Sequence, residues 1–303
     1  MEELGRVPMR ALVELARRGT IAAVAEDLGY TPGAVSQQIS RLEAVVGRPL
    51  TTRFGRGLRL TDAGRVLAEQ AEGVLRAEEA ALAAARATST EVRGRLTIGV
   101  FGSTAAALLA PLVLRLREKH PGLRLSSREI GVDDTAAAVR RGEVDVAFGV
   151  DYPHAPMPRD TDTELVPLRT ERFGLAVAGD AGGPGRIDLR DAREWPWILT
   201  PEATPFGRAV RSACRLAGFE PDVVHEVTDT SAALLLAARG LGATPVTPLM
   251  RQLTTVPARV VELSDLLERR ILLVRHRADA ERPTVNALTE VLRSVASALP
   301  QRG

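Results

Sequence analysis

Between residues 8 and 47 the apolar positions recur at helical spacing, interrupted by short turns that contain glycine. Leu12, Leu15 and Ala16 share a face that stops at Gly19. Thr20 is placed to cap a second helix, in which Ile21, Val24, Ala25 and Leu28 form one apolar side and Gly29 marks the end. Thr31 caps a third, with Pro32 at the first helical position, where its missing N–H costs nothing. Val35, Ile39, Leu42 and Val46 lie on one side of that helix, and Ser36, Gln37, Ser40 and Arg41 on the other. Two helices joined by a tight turn, the second polar on its outer face, predict a helix-turn-helix.

The next stretch, RPLTTRFGRGLRLTDAG, sets β-type residues around a Gly-Arg-Gly turn and predicts a small hairpin with an arginine-studded tip, a wing. Thr61 then caps a helix running to about Ala87, with a seam of Leu67, Ala71, Val74, Leu75 and Leu82 at roughly heptad spacing. A helix packed on its own domain would show such a seam, but about seven turns with no neighbour to cover them favour a dimerising helix.

After a polar linker, ATSTEVRG at 87–94, strands and helices alternate. RLTIGV, LRLSSREI, VDVAFGV, FGLAVAG, WILT, ATPV and ILLV read as strands, and VDVAFGV is apolar enough for a buried parallel strand. Helices are expected from Ser103 to His120, from Asp133 to Gly142, near 206–217 and 229–239, and at 284–299. The alternation predicts an α/β fold with open parallel sheets, and its length favours two lobes separated by a cleft. The expected division is residues 1–62, a winged helix-turn-helix; 63–93, a linker helix; and 94–303, a two-lobed domain with its second lobe at about 165–265.

Composition narrows the classes. The 303 residues contain one cysteine, Cys214, which excludes a disulfide scaffold and a multi-cysteine zinc site. No apolar run approaches a membrane span, and MEELGRVPMR lacks the layout of a secretory signal, so the expectation is a cytoplasmic protein with no membrane partner. The net charge of +2 is uninformative until divided. Residues 1–66 hold ten Arg against seven acidic residues, the remaining 237 hold 30 basic and 31 acidic, and six of the arginines fall within 41–66. The basic excess sits on the segment that predicts the wing.

The segment GTIAAVAEDLGYTPGAVSQQISRLEAVVGRPLTTRFGRGLRLTDAG resembles the DNA-binding domain of LysR-type transcriptional regulators. An Ala-rich positioning helix, the recognition helix AVSQQISRLE, the Gly47–Leu50 turn, the Arg-rich wing and TDAG follow in that family's order. GRLTIGV, the helix ending in KHPG and GEVDVAFGV resemble its effector domain, which is itself similar to periplasmic binding proteins. The resemblance implies a sequence-specific regulator of double-stranded DNA, dimeric or tetrameric, modulated by a small molecule held between two lobes.

A recognition helix enters the major groove with its N-terminal residues toward the bases. Those residues are Thr31, Pro32, Gly33, Ser36 and Gln37. Where the family often has Gln this chain has Pro32, which offers only apolar contact to a thymine methyl; where it often has a basic residue this chain has Gln37, which can pair with adenine. Thr31, Ser36, Gln38 and Arg41 suit phosphates, and Arg53, Arg56 and Arg59 the backbone or minor groove. Capping alone would also account for Thr31, and a solvated charge cluster for the wing arginines.

In the larger domain, ligands are expected at the carboxyl ends of strands where the topology switches. The candidates are Gly102, Ser103, Thr104, Arg128, Gly149, Thr200, Pro201, Thr228 and Ser231, with Ser103 and Thr200 the strongest pair. Helix capping accounts equally for any one Ser or Thr, and a surface ion pair for Arg128. The ten aromatics suggest no cage. No catalytic constellation emerges: Cys214 lies within a helix, the four histidines are scattered, and the single lysine, Lys119, completes no phosphate loop. No cofactor or metal is expected. A two-lobed solute carrier without a DNA role is the competing reading.

Overall fold

The computed structural model describes residues 4–54, 57–86, 92–180, 182–265 and 267–299. The chain divides near residue 89 into two compact units.

The first unit holds α1 (Arg6–Arg18), α2 (Ile21–Leu28), α3 (Pro32–Val46), a hairpin of β1 (Thr51–Phe54) and β2 (Gly57–Leu60), and α4 (Asp62–Arg86). Its helix starts are local chemistry. The Thr20 and Thr31 hydroxyls accept from the N–H groups of Ala23 and Ala34, and Thr61 accepts from Gly64. Leu12, Val24, Val35, Ile39, Leu42 and Leu50 form the core, closed on one side by Ala68 and Ala71 of α4. Val46, expected on the apolar side of α3, is instead exposed, in the last turn before the Gly47 cap. Two contacts fasten the wing. The Glu43 carboxylate of α3 accepts from the Leu50 and Thr51 N–H groups and the Thr51 hydroxyl at 2.9–3.1 Å. Gly64 lies against the Leu50 carbonyl so closely that a Cβ would sit 2.0 Å from its oxygen, which explains the glycine of TDAG.

In the second unit, β3 (Gly94–Val100) leads into α5 (Gly102–Thr104), a π-helical turn (Ala105–Leu109) and α6 (Ala110–Lys119). There follow β4 (Leu123–Glu129), α7 (Thr135–Arg140), β5 (Val146–Asp151), β6 (Thr163–Arg172), β7 (Gly174–Val177), β8 (Arg186–Ile187) and β9 (Pro196–Leu199). The chain continues through α8 (Pro205–Leu216), β10 (Asp222–Glu226), α9 (Thr230–Ala238), β11 (Thr244–Val246), α10 (Pro248–Arg251), β12 (Arg259–Leu263), β13 (Glu268–His276) and α11 (Pro283–Ala298). One lobe is built on the sheet β4-β3-β5-β13-β6, the other on β11-β7-β12-β8 with the pair β10-β9.

The sheets are mixed, not wholly parallel as the alternation predicts. β13 runs antiparallel to both β5 and β6, and β7 to β11 and β12. The chain crosses between lobes at 172–174 and returns at 263–268, so its return strand meets the first sheet head to tail. The second lobe's strands therefore begin at Gly174, and not at about 165 as expected; residues 163–172, where no strand is expected, form β6 of the first lobe. TELVPLRTER is a sheet-edge strand with a half-polar pattern, which hides it in the sequence. β5 is covered on both faces: Val146, Phe148 and Val150 join the main core, and Ala147 joins a second cluster with Val139 and Leu272.

Candidate functional sites

The first candidate surface is the outer face of α3. Thr31, Pro32, Gly33, Ser36, Gln37, Ser40 and Arg41 are exposed, and residues 33, 36, 37, 40 and 41 recur at the spacing of one helix face. The Thr31 hydroxyl uses a lone pair on Ala34 and keeps its proton for an outside acceptor. Gln38, expected at a phosphate, is half-buried, and its carbonyl oxygen is enclosed. On the wing, Arg53 pairs across the hairpin with Leu58, and Thr52 with Arg59. Side chains alternate along a strand, so Arg53 and Arg59 lie on opposite faces of the ribbon and do not form one basic plane. Arg56 lies outside the described residues.

The α4 seam splits in two. Ala71 is buried and Leu67 and Leu75 are partly covered in the core of their own unit. Val74 is 53% exposed and Leu82 40%, and Val66, not in the expected seam, is 61% exposed. Val74 and Leu82 of the expected seam thus face outward with Val66, but the three are eight residues apart, about 80° around the helix from one to the next, and do not form a single stripe.

The second candidate site is a cleft of about 390 Å³ between the lobes of the second unit, a size suited to a small molecule. Gly102, Ser103, Thr200, Thr228 and Ser231 line it as expected, drawn from strand ends in both lobes. The other four candidates do not. Thr104 is buried and turned inward, accepting from the Phe101 N–H and donating to the Phe101 carbonyl. Arg128 is an exposed residue of β4, outside the lining. Gly149 pairs with Leu272 in mid-sheet, where a Cβ would meet Val274 at 2.8 Å, so it serves packing. Pro201 uses its carbonyl to accept from Thr204.

Sequence reasoning missed the floor of the cleft. Arg269 of β13 is buried opposite Glu171 of β6 and donates to Glu171 Oε2 from Nε at 2.9 Å and from an Nη at 2.7 Å. Glu171 also accepts from the Thr247 hydroxyl and the Leu249 N–H at 3.0 and 2.9 Å. The same Arg269 nitrogen donates to the Ser103 hydroxyl oxygen at 3.3 Å, tying the start of the first lobe's helix to the crossover strands. Burial pushes the Tyr152 phenol up to about 12, against the pull of Arg269, so it is a neutral hydroxyl beside that guanidinium.

Aromatic residues also converge here. Phe206 of α8 stacks on Phe173 at 5.5 Å and on Tyr152 at 6.0 Å, and Phe101 lines the same space, so a three-ring wall of Phe101, Tyr152 and Phe206 faces the cleft. Glu129, Asp133 and Asp229 complete its charged lining. The one available signal is that charged residues sit at the ends of apolar strands, in TERFGLAV and ERRILLV.

The model of the LysR substrate binding domain matches residues 89–297, and that of the bacterial regulatory helix-turn-helix protein, lysR family, matches residues 8–65. The chain is 28% identical over 289 residues to the HTH-type transcriptional regulator TdfR of Cupriavidus pinatubonensis, covering 94% of this chain and 96% of that one. It is 30% identical over 237 residues to the HTH-type transcriptional regulator ShiR of Corynebacterium glutamicum, covering 73% and 78% respectively. A full-length OxyR variant from Pseudomonas aeruginosa shares the fold, with a TM-score of 0.83 at 20% identity and full coverage of both chains. With both of its units matched by models of one family, the chain belongs to the LysR family of DNA-binding transcriptional regulators with an effector-binding domain.

Proposed function

We propose that α3 reads base edges through Gln37 and the neighbouring exposed residues, that Arg41 and Arg53 hold phosphates, and that an effector in the cleft controls how two such helices are presented to DNA. The observation that carries this reading is that the cleft is lined from both lobes, Ser103 from one and Thr200 and Ser231 from the other. A molecule that touches both sides discriminates between open and closed lobes, and only such a difference in affinity can shift the population. Two chains pair through α4, on which Val74 and Leu82 of the expected seam are exposed, so that two recognition helices face half-sites about 34 Å apart or multiples of that. The protein acts in the cytoplasm, beside its DNA, by binding and not by catalysis.

The experiment is a gel shift of the full chain on the DNA upstream of its own gene, together with selection from random sites, each with and without competitor. Salt-sensitive, competitor-resistant binding is expected. Its absence in both formats would sink the regulator mechanism and leave the solute-carrier reading.

A further inference from the structure

The cleft's charge inventory is one-sided. Among the described residues Arg269 is the only basic one in its lining, and its charge is already compensated by Glu171, whose side chain is fully buried behind it. Glu129, Asp133 and Asp229 are the acidic lining residues. The carboxylates of Glu129 and Asp133 make no hydrogen bond or ion pair with a described residue. Arg208 of α8 acts on Asp133 through space only and donates to the Ala203 carbonyl. Asp229 accepts from the Ser231 and Ala232 N–H groups at 2.7 and 3.0 Å, which keeps it ionised at the entrance to α9.

The hydroxyls agree with the charges. Thr204 Oγ1 accepts from the Gly207 N–H and donates to the Pro201 carbonyl, so in its 2.8 Å contact with Thr200 it is the acceptor. Thr200 thus directs its proton inward and offers the cleft lone pairs. The wall of Phe101, Tyr152 and Phe206 offers ring surfaces, which attract cations and cover apolar groups. No three acidic or His/Cys groups among the described residues converge as metal ligands, so the negative charge is spread along the cleft.

We infer that the effector is a small organic cation, an ammonium or amidinium carried on an apolar or aromatic frame, with its charge toward Glu129 and Asp133 and its frame against Phe206. This rests on the cleft being the effector site. The same geometry disfavours a plain carboxylate, which would meet the like charges of Glu129, Asp133 and Asp229 with no spare cation among the described lining residues.

The test is calorimetry on the full chain with 2-phenylethylamine, 2-phenylethanol and 3-phenylpropanoate, three ligands of one shape and different charge. The amine should bind more tightly than the carboxylate by at least about tenfold, as expected for charges at a partly exposed site. Glu129→Gln with Asp133→Asn should bring the three within about threefold of each other, by removal of the same interaction. Carboxylate binding equal to the amine's, or no binding of the amine, overturns the cation assignment and leaves the cleft in place as the effector site. Amine binding unchanged by Ser231→Trp, which fills the cleft, puts the ligand elsewhere and overturns both readings. Because the carboxylates of Glu129 and Asp133 accept no bonds from described residues, the double variant should keep its fold, and its melting curve verifies this.

Discussion

Arg269 and Glu171 face each other across β13 and β6, joined by two bonds from one guanidinium to one carboxylate oxygen at 2.9 and 2.7 Å. The pair is buried, so its members stabilise the fold mainly by compensating each other. Arg269→Met leaves Glu171 with Thr247, Leu249 and the more distant Arg169, at 3.7 Å. The expected cost in urea unfolding is about 3 kcal/mol, the lower end for breaking a buried pair, because Arg169 remains. Adding Glu171→Gln should recover most of it; a double variant as unstable as the single would show that the arginine's packing, not its charge, matters.

On α3, Gln37 is exposed on the face that carries Gly33 and Arg41, and Arg53 lies on the wing. Gln37→Ala should flatten base preference at one or two positions, at about 1–3 kcal/mol of discrimination per position. Arg53→Ala should weaken all sequences alike and reduce the salt slope by about one. Equal loss of specificity in both variants, measured by competition on randomised sites, would contradict the division.

The Thr200 hydroxyl offers its lone pairs to the cleft and bonds no described residue but Thr204, while the Thr200 carbonyl accepts from Arg211. Thr200→Val is therefore expected to weaken effector binding by about 1 kcal/mol, one hydrogen bond's worth. DNA affinity without effector should be unchanged. An effector titration that superimposes on the parent's would remove Thr200 from the site.

Burial raises the Asp133 carboxyl above its ordinary pKa, with Arg208 opposing the rise and Asp134 adding to it. The folded chain thus binds this proton more readily than the unfolded chain, so stability falls as pH rises from the ordinary carboxylate pKa through the raised one. Asp133→Asn removes that penalty. The variant should melt higher than the parent at neutral pH, with the difference shrinking on acidification through that window. A lower melting point at neutral pH would mean that the attraction of Arg208 outweighs desolvation.

Cys214 is fully buried in α8, and burial, with Glu220 adding, pushes its thiol up to about 12. Its reaction with a thiol reagent should be at least about 10³-fold slower in the native chain than in denaturant, since the thiolate is the reactive form. Cys214→Ala should regulate normally. Rapid labelling of the native chain would refute the placement.

The first unit is legible in the sequence because its information is local. Thr20, Thr31 and Thr61 cap the helices whose starts they mark, and the β-type residues of TTRF and GLRL pair as the hairpin they predict. The half of the α4 seam made of Leu67, Ala71 and Leu75 misleads, since heptad spacing does not say whether the partner is another chain or α1. In the second unit, strand ends supply Ser103, Thr200 and Ser231, because helix starts after strands have a recognisable composition. The floor is not legible. Arg269 and Glu171 are 98 residues apart, and only the antiparallel return of β13, a long-range outcome, brings them opposite each other.

The π-helical turn at Ala105–Leu109 gives the helix behind the cleft a tolerance to chain length. Such a turn holds one residue more than the regular winding around it. Its wider winding takes up roughly the 100° that one residue adds, so the flanking turns face as they would in an unbroken α-helix one residue shorter. Ser103, held by Arg269 on one side, and Leu112, buried in the core on the other, would therefore keep their places if one residue of the turn were lost. The same one-residue gap within Ala110–Lys119 would turn the two ends of the helix against each other by about 100°; where a gap falls along this helix, as much as its size, decides whether a ligand meets the same cleft.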